Sequence, residues 1–68
     1  MLKLFIDDKE VKEGDKIFDF RGKPWIFKSI TRGGSRVYAK EEGKEWSQEF
    51  FPSVFAGKII DVNGAVES

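Results

Sequence analysis

Three features of this sequence predict an all-β fold: the spacing of its turn residues, its aromatic content and its lack of helical periodicity. Gly and Pro interrupt the chain about every eight to twelve residues, the rhythm of short strands in a small sandwich or barrel. Seven Phe, two Trp and one Tyr among 68 residues form a large aromatic set. Such rings suit the core of a small closed β structure. No segment sustains an i, i+3, i+4 apolar pattern over the roughly ten residues a helix needs. The length allows one domain, expected over residues 1–62, with 63–68 as a loose C-terminal tail. A chain this short buries only about 60% of its unfolded surface. It has no Cys and no His, so neither a disulfide nor a zinc site is expected to staple it. Stability is expected from packed apolar side chains, with self-association as a second source.

The elements follow in order. Leu2, Leu4 and Ile6 alternate with Lys3 and Phe5 as a first strand, and Asp7-Asp8-Lys9-Glu10 is a polar turn. Gly14-Asp15 turns the chain into a strand at 16–20. Arg21-Gly22-Lys23-Pro24 turns it again, with Pro24 ahead of the next strand, where its missing N–H does little harm. Residues 25–31 are rich in β-branched and aromatic side chains. Arg32-Gly33-Gly34-Ser35 predicts a tight hairpin turn, because two Gly permit the positive φ angles of primed turns. Residues 36–40 return, 41–44 turn, and 45–51 form another strand that Pro52 interrupts. Residues 51–55 are too short for a stable α-helix and predict one 3₁₀ turn. Residues 58–62 close the fold. The prediction is a small SH3-like barrel of five to six short antiparallel strands, with one 3₁₀ turn before the last.

Charge is segregated along the chain although the net charge is zero. Residues 20–40 hold Arg21, Lys23, Lys28, Arg32, Arg36 and Lys40 and no acid, while 1–19 and 41–68 are net acidic. Phe20, Trp25, Phe27 and Tyr38 fall in the same stretch. Basic residues interleaved with aromatics suit a surface that holds a phosphate backbone and stacks on bases. A hairpin turning at Gly33-Gly34 pairs Thr31 with Arg36, Ile30 with Val37, Ser29 with Tyr38 and Phe27 with Lys40. Alternation then puts Ile26, Ile30, Val37 and Ala39 on one face, with Lys28 as its single charge. The opposite face carries Trp25, Phe27, Arg36, Tyr38 and Lys40. The candidate binding surface is therefore Arg21, Lys23, Trp25, Phe27, Lys28, Arg32, Arg36, Tyr38 and Lys40. The competing expectation is a curved barrel in which one bulge swaps the faces and Trp25 and Phe27 are core.

Other classes of function find less support. Without His or Cys the usual catalytic base and nucleophile pairs are missing, and Ser29, Ser35 and Ser47 stand near no activating pattern. The carboxylates fall in turns, where solvent is expected to keep their pKa values ordinary. No enzyme and no cofactor is expected. Asp7, Asp8 and Glu10 have the donor type of a Mg²⁺ site, but three acids in a turn ordinarily just solvate it. Gly33-Gly34 lacks the following helix and Lys-Ser/Thr of a phosphate loop. Glu41, Glu42, Glu45 and Glu49 form an acidic edge that suits a basic partner or the basic hairpin of a second copy. Phe50, Phe51 and Phe55 are expected in the core. No stretch approaches the ~18 apolar residues of a membrane span, and the N-terminus lacks a signal-peptide layout. The expected setting is cytoplasmic, with which the lack of Cys agrees.

Three blocks occur together: Asp19-Phe20-Arg21-Gly22 after Gly14-Asp15, Arg36-Val37-Tyr38, and Glu49-Phe50-Phe51-Pro52-Ser53-Val54-Phe55. Together they resemble small uncharacterised proteins of tailed bacteriophages, over about residues 11–60. The resemblance implies a phage origin and a bacterial host cytoplasm, but no activity or site residues. Pro52-Ser53-Val54-Phe55 is also similar to the Pro-Ser-x-Tyr 3₁₀ turn of SH3 domains. The aromatic ligand motif and adjacent Trp pair of those domains are missing, so the likeness supports the barrel and not proline-peptide binding. The functional expectation is a non-enzymatic binding module. Its partner is an unidentified protein or a second copy of the chain; nucleic acid bound at the basic-aromatic hairpin is the alternative.

Overall fold

The computed structural model describes residues 1–62. The tail expected at 63–68 lies outside the described residues. The fold is all-β: β1 (Leu2–Ile6), β2 (Lys9–Val11), β3 (Lys16–Phe18), β4 (Pro24–Ile30), β5 (Val37–Lys40), β6 (Gln48–Phe50), a 3₁₀ helix (Pro52–Phe55) and β7 (Gly57–Asp61). These strands make two antiparallel sheets, ordered β2-β1-β7 and β3-β4-β5-β6. They form a small SH3-like barrel with one 3₁₀ turn before its last strand.

Two local features differ from the sequence expectation. The polar turn is shorter than its four acidic and basic residues suggest. Asp7 and Asp8 take φ of 54° and 66°, and Ile6 pairs with Lys9 across them. Two positive φ angles make a tight two-residue hairpin, so Lys9–Val11 returns along β1 as an additional strand. The Gly33-Gly34 turn is instead wider. Only Gly34 has positive φ (78°), and the Thr31 N–H donates to the Arg36 carbonyl across the loop.

The core is Leu4, Ile17, Trp25, Phe27, Val37, Ala39 and Phe55, with Phe50 and Ile59 among the half-buried side chains against it. Trp25 and Phe50 meet edge-to-face at 4.7 Å, and Phe50 meets Phe55 the same way at 5.3 Å. Such aromatic pairs contribute ~0.5–1.5 kcal/mol each beyond their buried area. They fix the 3₁₀ helix over the inner side of the four-stranded sheet. Pro52 opens that helix, and Ala56, in the left-handed region at φ 58°, ends it. Gly57 then lets β7 approach β1 closely: a Cβ there would lie 3.0 Å from side-chain atoms of both Leu4 and Ile6, and 3.1 Å from the Phe5 carbonyl oxygen. The backbone oxygen cannot step aside as a side chain can. Gly57→Ala is therefore expected to destabilise the fold by about 1–3 kcal/mol, the usual range for overpacking, read from denaturant midpoints. An unchanged midpoint would contradict this packing.

Candidate functional site

The position of the basic-aromatic residues is decided by one irregularity in β4. Ser29 pairs with Tyr38 and Ile30 with Val37, as the sequence predicts. Between Phe27 and Ser29 the register shifts, so that Phe27 faces Ala39 and Lys40 faces Ile26. An extra residue in one strand reverses the side-chain alternation on the far side of the bulge. Trp25 and Phe27 consequently point inward, each 5% exposed, and are core rather than a stacking platform. Ile26, expected inside, shares the outer side with Lys40. The Phe27 backbone is used as well: its N–H donates to the Asp15 carbonyl, and its carbonyl accepts from the Gly14 N–H.

Of the remaining seven candidates six are cations, three paired and three unpaired, and the seventh is Tyr38. Lys23 lies 3.4 Å from Glu41, Lys28 3.6 Å from Glu13, and Arg36 Nη1 3.0 Å from Glu49 Oε2. Lys23 also sits 4.9 Å from the Trp25 ring centroid, over the core tryptophan. Arg21, Arg32 and Lys40 make no ion pair among the described residues. Two members of the acidic edge, Glu41 and Glu49, thus meet the basic segment of their own chain. Arg36, Tyr38 and Lys40 do share the outer side of β5, as expected, with Tyr38 partly exposed. Glu49 lies opposite Tyr38 on β6.

Sequence reasoning missed the most exposed aromatics outside β5. Phe20 is 76% exposed, Trp46 62%, Phe51 57% and Phe18 55%. Phe51 is not core, because neighbouring strand residues point to opposite faces and Phe50 already points in. The Arg36 guanidinium covers the Phe51 ring at 4.6 Å, and the Lys44 ammonium stands 5.4 Å from that of Trp46. Phe20 had a readable signal too: it stands between an Asp and a Gly that build a turn.

That turn is anchored by Asp19. Its Oδ1 accepts from the backbone N–H groups of Arg21 and Lys23, both at 2.9 Å, and its Oδ2 accepts from the Trp25 indole N–H at 3.1 Å. The Gly22 N–H donates to the Asp19 carbonyl, and Gly22 takes φ of 82°. Asp and Gly are thus consumed by the turn, which holds Phe20 and Arg21 outward with the guanidinium 5.4 Å from the Phe20 centroid. Partial desolvation pushes the Asp19 carboxyl up, but its bonds from Trp25, Lys23 and Arg21 and the Arg21 charge outweigh this. The carboxyl therefore titrates below its ordinary value of 3.8, contrary to the expectation for a carboxylate in a turn.

Larger grooves offer no comparable chemistry. One of about 650 Å³ runs between β1, β2 and β4 over Leu4, Val11, Phe27 and Ile30. Its acids, Glu10 and Glu13, are engaged by Lys3 and Lys28. Among the described residues no three carboxylates gather as a metal site, and Asp7 and Asp8 are turn residues.

Because the folded-state pKa of Asp19 is depressed, the native state binds fewer protons than the unfolded chain between the two values. Its stabilisation is complete above the ordinary pKa and is lost as pH falls through the folded value. Thermal melts from neutral to strongly acidic pH are expected to show Asp19→Asn less stable than the parent at neutrality, with the gap closing on acidification. A gap independent of pH would contradict the assignment. Comparison of the chain with family models, with curated proteins and with solved structures finds no match.

Proposed function

We propose that this chain is a non-enzymatic binding module whose partner is a protein, either a host-cell protein or a second copy of itself. The observation that carries the reading is that half of the cations in the basic segment are paired within the chain while aromatics stay exposed. Lys23, Lys28 and Arg36 are each within 4.0 Å of a carboxylate of the same chain, and Trp25 and Phe27 are buried. A polyanion would have to displace those carboxylates, and zero net charge gives it no long-range attraction. Phe18, Phe20, Trp46 and Phe51 offer the aromatic area that protein interfaces favour. The resemblance to small bacteriophage proteins fits a host surface as the target. The test is retention of partners from bacterial lysate with and without nuclease. One stoichiometric protein surviving nuclease is the expected result; recovery of nucleic acid alone would reject it.

A second reading has one specific observation in its favour. Arg36, Tyr38 and Lys40 line one side of β5, and Phe51 lies under the Arg36 guanidinium. This is a narrower basic-aromatic strip on which a single strand of nucleic acid stacks and pairs. On that reading, Arg36→Glu weakens binding of a single-stranded oligonucleotide and lowers the salt slope by about 1. Unchanged affinity in a salt titration would eliminate β5 as the contact.

A further inference from the structure

The groove of about 650 Å³ between β1, β2 and β4 has little side-chain chemistry but open backbone along its walls. β2 pairs with β1 alone, so its outer edge carries no strand among the described residues. β4 runs from Pro24 to Ile30, whereas β3 covers only Pro24 to Ile26 of it. The two further backbone bonds on that side, with Gly14 and Asp15, stop at Phe27. Beyond the bulge the Thr31 N–H donates to the Arg36 carbonyl, toward β5. Opposed residues of an antiparallel pair alternate between bonded and non-bonded, so the Ile30 N–H and carbonyl point the other way, to the groove side. That N–H donates to no other strand or loop among the described residues. Val11 lines one wall, Ser29 and Ile30 the other, and buried Leu4 and Phe27 lie beneath. An unpaired edge is a template for a further strand, and here two such edges border one apolar-floored groove.

The charges of the lining name the strand that fits. Met1, Lys3 and Lys12 against Glu10 and Glu13 leave a surplus of one positive charge. Glu10 is engaged by Lys3 at 3.2 Å, Glu13 by Lys28 at 3.6 Å, and the Met1 ammonium by Asp61 at 2.9 Å. Lys12 is the surplus, because it makes no ion pair among the described residues. A basic segment would have to displace Lys3 or Lys28 from its carboxylate. An acidic one pairs with Lys12 and disturbs neither.

We infer that this groove takes an extended segment of a partner protein as an added strand between β2 and β4, with alternate apolar side chains over Leu4 and Phe27 and a carboxylate at Lys12. Main-chain bonds to the open edges supply affinity, while the floor and Lys12 supply selectivity. The inference rests on the protein-binding reading above and names the partner's chemistry: an apolar strand carrying an acidic residue.

The experiment selects a random dodecapeptide library on the full chain and measures the enriched peptides by fluorescence anisotropy. Enriched peptides are expected to alternate Val, Ile, Leu or Phe with polar residues and to include Asp or Glu. Lys12→Glu is expected to weaken the best peptide about tenfold, and Arg36→Glu, outside the groove, to leave its affinity unchanged. Lys12 is exposed, and an unaltered thermal melt verifies that its variant folds. Amide exchange of the Ile30 N–H is expected to slow at least about tenfold when the best peptide saturates the chain. Absence of such peptides, affinity that survives Lys12→Glu, or Ile30 exchange that the peptide leaves unchanged overturns the proposal. So does a dimer that Lys12→Glu dissolves while no peptide is enriched, which assigns the groove to a second copy. A nuclease-resistant lysate protein held equally by parent and Lys12→Glu overturns the groove alone and leaves the protein-binding reading standing. Loss of every retained protein on nuclease treatment overturns both.

Discussion

The indole of Trp25 is the constraint on which most of this structure depends. Its ring fills the core edge-on to Phe50, and Phe50 in turn orients Phe55 and the 3₁₀ helix. A buried indole N–H needs an acceptor, because leaving it unpaired away from water is expensive. Asp19 supplies that acceptor and uses its other oxygen to close the turn that follows β3. Core and surface are thereby one mechanical unit. The orientation of Phe20 and Arg21 is set by a tryptophan that solvent scarcely reaches.

The charges obey a similar economy. In sequence, the basic block at 20–40 is flanked by acidic segments, which suggests an exposed positive face. In space, the neighbouring segments fold back over it, and Glu13, Glu41 and Glu49 meet Lys28, Lys23 and Arg36. Each exposed pair is worth at most about 1 kcal/mol, so they contribute little to holding the barrel together. Their larger effect is on recognition. They reduce the field that a phosphate backbone would feel and leave Arg21, Arg32 and Lys40 as the cations of that block outside ion pairs.

Much of the architecture was legible because turns and strands depend on local chemistry. Gly14, Gly22 and Gly43 mark real turns at positive φ, and Pro52 starts the 3₁₀ helix where its fixed φ is useful. The hairpin register was legible from Ile30 to Ser29 and no further. A bulge beside Lys28 carries no compositional signature, and one shifted residue put Trp25 and Phe27 in the core, the outcome of the competing curved-barrel expectation, and not on the stacking face. The Asp7-Asp8 hairpin was hidden for a related reason: an Asp pair is a less familiar route to two positive φ angles than Asn-Gly. The exposed rim at Phe20 depends on an Asp–Trp bond between residues six apart, which spacing alone does not reveal.

The pairing of β1 with β7 carries a further implication. Leu2 lies opposite Asp61, the Val62 N–H donates to the Met1 carbonyl, and the Met1 ammonium stands 2.9 Å from Asp61. These two neighbouring strands of the three-stranded sheet thus come from the opposite ends of the described chain. Most other pairings join neighbours in sequence and close small loops, whereas this one must close nearly the whole length before it is rewarded. Folding is consequently expected to assemble the β3–β6 meander early and to finish with this seam. Its ends also lie side by side, so residues 1 and 62 can be bridged by a short linker and the chain reopened in the wide 31–36 loop. That rearrangement would turn the most distant contact into a local hairpin, keeping the strand register and giving up the ion pair between the Met1 ammonium and Asp61.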